Sequence, residues 1–318
     1  MSFDAAYEAL TDHDDDARWA YGTGFTDPLA GVESAVPPGA DRGDLAAYCL
    51  ALGDDALIMS HRLQQWVTRA PELEDELALA NIALDLLGQA RLLLSRAAEV
   101  EDAGRDEDAL AYLREAAEFR NVRLVERADA DFAHLVARLL VFATWRLALL
   151  DRLSASADPV LAAIGAKGVK EVTYHRDYAA QWVVRLGDGT EISHARMQAA
   201  IDAVTPLIEE LFRPDQTELR LAVGPVAGSV AGSAAGPAAG SAAGPVAVDP
   251  STLRTEFDAV WSQVLEAATL RASGAGAPEA AGSAAPAGSG RDGLHTAELT
   301  GILAELQGVA RSLPGGVW

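Results

Sequence analysis

Hydrophobic positions along the chain recur at the three- and four-residue spacing of α-helices, in long blocks, and the alternation that marks strands is absent. The densest block is residues 71–95, PELEDELALANIALDLLGQARLLLS, apolar on nearly every side of a helix, which predicts a central element packed all round. Pro71 opens it, Glu72 and Glu74 suit the positive end of its dipole, and it is expected to fade near Ala103 and Gly104. Before it, Leu45, Tyr48, Leu52, Leu57, Met59, Leu63 and Trp66 predict a first helix over residues 44–68. After it come a connecting helical segment at 107–126 and a helix at 132–153 capped by Asp131. A helix at 160–186, entered through Asp158-Pro159 and stopped by Gly187-Asp188-Gly189, precedes one at 193–212 that kinks or restarts near Pro206. Helices at 251–271 and 294–313 close the chain. The expected fold class is all-α, a helical bundle with additional C-terminal helices.

Two stretches break this pattern. Residues 222–247 and 273–290 repeat Ala, Gly, Ser, Pro and Val units that cannot bury enough large side chains to offset the entropy of ordering, so both are expected to be disordered surface insertions. Residues 1–43 form an acidic, turn-rich N-terminal extension. Its Trp19, Tyr21 and Phe25 suggest that part of it lies against the body or a partner. The main domain is accordingly placed at 44–318.

Charge narrows the range of functions. Against 47 acidic residues stand 25 basic ones, a formal net charge of −22, which disfavours binding to a nucleic-acid backbone or an anionic membrane. Lys167 and Lys170 are the only lysines among many arginines; this balance suggests a halophile's solvated acidic surface, with a GC-rich coding sequence as the alternative. The single cysteine, Cys49, allows no internal disulfide and no cysteine-based zinc site, and the start of the chain lacks a secretory signal's basic leader and apolar core. No uninterrupted apolar run reaches the roughly 20 residues of a membrane span. A cytoplasmic protein is expected.

Candidate chemistry sits on two helices. Asn81, Asp85 and Gln89 recur every four residues on the central helix, and Lys167, Glu171, Tyr174, His175, Tyr178 and Trp182 share a face of the 160–186 helix. Two polar stripes facing each other inside an apolar bundle is the plan of ferritin-like carboxylate proteins, whose di-iron site takes one Glu from each of two helices and a Glu-x-x-His pair from each of the other two. The ligand set here is broken. Asp85-Leu86-Leu87-Gly88 stands in place of one pair, Glu171 is followed by Tyr174 at three residues and His175 at four, and no carboxylate lies between Asp131 and Asp151. The expectation is therefore no metal site and no catalytic residue. Instead Asn81, Asp85, Gln89, Glu171 and His175 are expected to form a buried hydrogen-bonded cluster at a degenerate metal site, joined by Lys167 or Arg138, which fixes helix register. The alternative is a catalytic ferritin-like iron oxygenase using Asp85, Glu171 and His175. His61 and His134 are expected to be surface or packing residues, and His194 and His295 to cap helix starts.

The segments LALANIALDLLGQAR (77–91), KEVTYHRDYAAQWVVRLGDGT (170–190), VDPSTLR (248–254) and GLHTAELTGILAELQGVARSLPG (293–315), with APELEDELALAN (70–81), resemble the PaaC-type subunits of phenylacetyl-CoA 1,2-epoxidase. The likeness runs from about residue 44 to 318 apart from the two insertions. It implies a ferritin-like fold and a structural, non-catalytic role in a monooxygenase complex of aerobic phenylacetate degradation. In such a complex a PaaA-type subunit holds the di-iron centre and the CoA thioester, a PaaB-type subunit joins the assembly, and a PaaE-type reductase with flavin and iron–sulfur groups passes electrons from NADPH. The resemblance implies no cofactor in this chain.

Overall fold

The computed structural model describes residues 29–223, 244–272 and 288–313, and among these it contains helices and no strand. Four long helices make the body: α1 (Arg42–Gln64), α2 (Leu73–Glu101), then, after the short α3 (Glu107–Tyr112), α4 (Phe132–Leu153) and α5 (Pro159–Gly187). Short loops join α1 to α2 and α4 to α5, and each pair packs along its length as a helical hairpin. One long crossover, residues 102–131, links the hairpins, which is the connectivity of ferritin-like bundles. The smaller α6 (Glu191–Val204), α7 (Gln216–Ala222), α8 (Arg254–Ala267) and α9 (Ala297–Ser312) pack around it.

Local chemistry explains most of the helix starts. The side chains of Asp41, Asp106, Asp131, Asp158, Thr190, Asp215 and Thr296 each accept a backbone N–H in the first turn that follows, satisfying donors no intrahelical carbonyl can reach. α2 starts without such a cap, relying on Glu74, Asp75 and Glu76 against its dipole. Gly165 lets α5 cross the end of α4 at backbone contact: a Cβ there would lie 2.7 Å from the Ser154 nitrogen and 2.9 Å from the Leu150 oxygen.

Several boundaries depart from the periodicity. The first helix ends at Gln64, followed by turns. Residues 107–126 do not form one helix but α3 and two 3-10 turns, Ala116–Glu118 and Arg123–Glu126. The reason is tertiary: the Arg120 and Val122 amides donate to Asp54 and Asp55 of α1 at 2.9 and 2.8 Å, so the backbone serves buried carboxylates instead of its own helix. After Val204 the chain tightens into 3-10 turns around Pro206, and the last helix begins at Ala297 because Ser289 through Thr296 are held by other groups.

The edges of the low-complexity stretches belong to the body. Val246 and Ala247 are buried, with the Val246 amide on the Leu221 carbonyl at 3.0 Å, and the Gly290 amide donates to Glu210 at 2.7 Å. The rest of the two stretches, 224–243 and 273–287, lies outside the described residues. Of the N-terminal extension, Leu29, Val32, Val36 and Ala40 pack against the core, and the Ser34 carbonyl accepts from Arg96 at 2.6 Å. Trp19, Tyr21 and Phe25 lie outside the described residues.

α2 and α4 are each long and apolar enough by length and composition to cross a membrane, although charged residues interrupt both, Asp85 and Arg91 in α2 and Arg138 and Arg146 in α4. In α4, 89% of the most apolar stretch is covered by the fold, as a core helix requires. In α2 only 50% is covered. Leu73, Leu77, Leu84 and Leu87 stand 66, 59, 55 and 38% exposed, so this helix is not packed all round as its composition predicts.

Candidate functional site

The centre of the bundle is polar, and most of its charge comes from residues the stripes do not contain. Arg146 of α4 is fully buried. Its guanidinium donates to the Gln89 side-chain oxygen of α2 at 3.3 and 3.4 Å and to the Leu52 carbonyl of α1 at 3.1 Å. Burial pushes it down to about 10, with the Asp55 carboxylate opposing, so it carries its charge at neutral pH. Gln89 passes the contact on, donating to Glu171 of α5 at 3.0 Å, and Glu171 also receives Lys167 from one turn earlier. Gly168 lies beside this contact and makes room for Leu150 of α4: a Cβ there would come within 2.8 Å of the Leu150 Cδ1 and only into ordinary contact with Gln89.

The other stripe residues divide. His175 is buried, its Nε2 3.0 Å from Asp85, whose side chain is 38% exposed. Asn81 stands on the open side of α2, exposed, and does not join the cluster. Tyr174 points outward at 52% exposure, whereas Tyr178 and Trp182 both donate to Asp75 at 2.9 Å. Arg138 joins a different pair: it donates to Asp129 at 2.9 Å and touches the Met59 sulfur at 2.9 Å. The arginine in the cluster is thus Arg146, further along α4 than the residue expected.

Around this centre lies a set of buried ion pairs. Asp55 accepts from Arg291 at 2.7 and 3.0 Å, and Asp54 pairs with Arg114, all four side chains being nearly or wholly buried. Burial pushes Arg291 down, but the Asp55, Glu218 and Asp215 carboxylates together outweigh it and hold the guanidinium above its ordinary value. Arg96 meets Asp158, the cap of α5, at 2.5 Å. Glu126 accepts from Asn121, from the Thr296 amide and from the Thr296 hydroxyl, with His295 Nδ1 at 2.7 Å. His295 therefore anchors the last helix through Glu126 and the Phe119 carbonyl, while Thr296 does the capping. His194 meets the Gly187 carbonyl at the end of α5, His61 faces Glu305, and His134 faces its neighbour Asp131. Cys49 is buried, and burial pushes its thiol up, away from thiolate chemistry.

Sequence reasoning missed Asp54, Asp55, Arg146 and Arg291. The signal was available for three of them: a charge in the middle of an otherwise apolar helix is a buried charge that needs a partner. Arg291, beside a low-complexity stretch, gives no such sign.

The donor set does not fit a di-iron centre. Asp85 is engaged with His175, Glu171 with Lys167 and Gln89, and a cationic guanidinium sits among them; among the described residues no group of three or more His, Cys, Asp or Glu side chains gathers as metal ligands. Asp85, Glu171 and His175, the triad of the catalytic alternative, do not converge. What this arrangement supports chemically is register: polar side chains from α2, α4 and α5, with the Leu52 carbonyl of α1, satisfy one another in one alignment of the helices.

Comparison with known proteins gives two matches. The family described as "Phenylacetic acid catabolic protein", PaaA_PaaC, matches residues 31–318. The chain is 42% identical over 274 residues to the C component of the 1,2-phenylacetyl-CoA epoxidase of Escherichia coli (strain K12), covering 86% of this chain and 99% of that protein.

Proposed function

Because the chain belongs to the phenylacetic acid catabolic protein family, we propose that it is the structural, non-catalytic PaaC-type subunit of a multicomponent phenylacetyl-CoA 1,2-epoxidase. The observation that carries this reading is Arg146: a bundle of the shape that elsewhere holds metal between four helices has a buried cation at its centre, paired with an amide. Placing a dication beside that guanidinium would set like charges together in a poorly solvated site. In this reading a PaaA-type subunit holds the di-iron centre and the thioester substrate, with a PaaB-type subunit and a PaaE-type reductase, bearing flavin and iron–sulfur groups and using NADPH, completing a cytoplasmic assembly. The chain contributes a rigid bundle whose internal ion pairs fix its shape, and no cofactor of its own.

Reconstitution tests this. The chain alone, supplied with reductase, NADPH, O2 and phenylacetyl-CoA, should turn over nothing, and added to a PaaA-type subunit from the same genome it should form a stable complex and raise that subunit's turnover. Epoxidation by the isolated chain would reject the reading.

A further inference from the structure

The side of the bundle formed by α2 and α5 has an apolar strip that none of the described residues covers. Leu73, Leu77, Leu84 and Leu87 fall within a narrow arc of α2, and on α5 Tyr174 is likewise exposed. α2 is comparable in mean hydropathy to the core helix α4, yet half of its most apolar stretch lacks cover. Gly88 adds an independent sign. It sits inside a 29-residue helix, where glycine is unfavourable relative to alanine, and a Cβ there would meet nothing within 4 Å. No contact among the described residues explains it. A glycine on an open helix face is explained when another backbone comes close.

Resting on the structural-subunit reading above, we propose that this α2–α5 face is the docking surface for the PaaA-type subunit, received as a helix laid along Leu77, Leu84 and Gly88. Three observations commit the surface to that occupant. The relative is one named component of an epoxidase, and the family that matches this chain is the joint PaaA_PaaC family, so the partner is a related bundle able to present an apolar helix. Next to Leu73 a cavity of about 550 Å³ opens between the start of α2 and the end of α5; Arg185 already stacks on its Trp182 and Asp75 already accepts from Tyr178 and Trp182, which leaves the exposed Glu72 and Glu74 at its rim to meet a basic side chain from the incoming helix. A second copy of this chain is disfavoured, because it would bring together two bodies that each carry −22. Docking here would also cover the half-exposed Asp85 and seal its contact with His175.

The test uses the full chain and the PaaA-type subunit from the same genome, with affinity measured by calorimetry or surface capture. Leu77→Lys combined with Leu84→Lys should weaken binding by roughly 100-fold, while the lone chain melts within about 2 °C of the parent, because both side chains are already exposed. Gly88→Leu should raise the lone chain's melting temperature and still weaken the complex, a combination that a purely internal role for Gly88 would not produce. Leu113→Lys, at an exposed position on α3's C-terminal cap, should leave binding unchanged. Unchanged affinity in both the Leu77/Leu84 and Gly88 variants would overturn the assignment of the face alone. Self-association of the lone chain that Leu77→Lys abolishes would overturn it in favour of a second copy. Failure of the parent chain to bind any PaaA-type subunit would reject the structural-subunit reading itself, and the docking with it.

Discussion

Asp55→Asn should cost about 3–5 kcal/mol of folding stability, read as a lower urea midpoint at unchanged slope. The substitution keeps the volume and removes only a charge. That charge is wholly buried and accepts from both terminal nitrogens of Arg291, at 2.7 and 3.0 Å, and from the Val122 amide at 2.8 Å. It also opposes the desolvation of Arg146. Without it the Arg146 and Arg291 guanidinium groups remain in the core, Arg291 keeping only the more distant Glu218 and Asp215 carboxylates, and removing one member of a buried pair is costly because the other charge loses its direct partner. Adding Arg291→Met should recover part of the loss, with a coupling of about 2 kcal/mol. A loss below about 1 kcal/mol for Asp55→Asn would mean that the guanidinium groups find other partners, and that the centre is less tightly specified than its geometry indicates.

The second large effect is expected at Asp158. Its carboxylate does two jobs: one oxygen caps α5 by accepting the Leu161 amide at 2.9 Å, and the other meets Arg96 at 2.5 Å, with both side chains almost completely buried. Asp158→Ala therefore uncaps a 29-residue helix and strands the Arg96 charge, leaving it the exposed Glu99 and the Ser34 carbonyl. The expected loss is about 3–5 kcal/mol in denaturant titration. Asp158→Asn retains a cap acceptor and should be milder by about 1 kcal/mol. Equal losses for the two variants would show that the cap contributes nothing.

These two positions also show what the sequence made legible. Helix existence was readable because large apolar residues recur at helical spacing and because Asp131 and Asp158-Pro159 stand where caps belong; α4 and α5 lie within a residue or two of their expected bounds. The crossover was not readable. Its periodicity at 107–126 is real, but the Arg120 and Val122 amides bind Asp54 and Asp55 from a helix more than sixty residues earlier, and spacing cannot show such a contact. For the site, Asp85, Gln89, Glu171 and His175 were found through their stripes, and the structure joins them as two contacts, Asp85–His175 and Gln89–Glu171. Asn81 shares their spacing and faces outward, because one stripe on a helix is wide enough to span a covered and an uncovered side. Arg146 stands in an apolar stretch of α4, and its partners, Gln89 of α2 and the Leu52 carbonyl of α1, lie on other helices where spacing cannot show them.

In the proposed role the buried Arg146 guanidinium takes the place at the bundle centre that a metal pair has in related folds. Metal analysis of this chain, separated from its PaaA-type partner after co-expression in iron-replete medium, tests that most directly. Only traces of iron are expected in this chain, with the iron retained by the partner. About two irons per chain, lost on Glu171→Ala or His175→Ala, would contradict it.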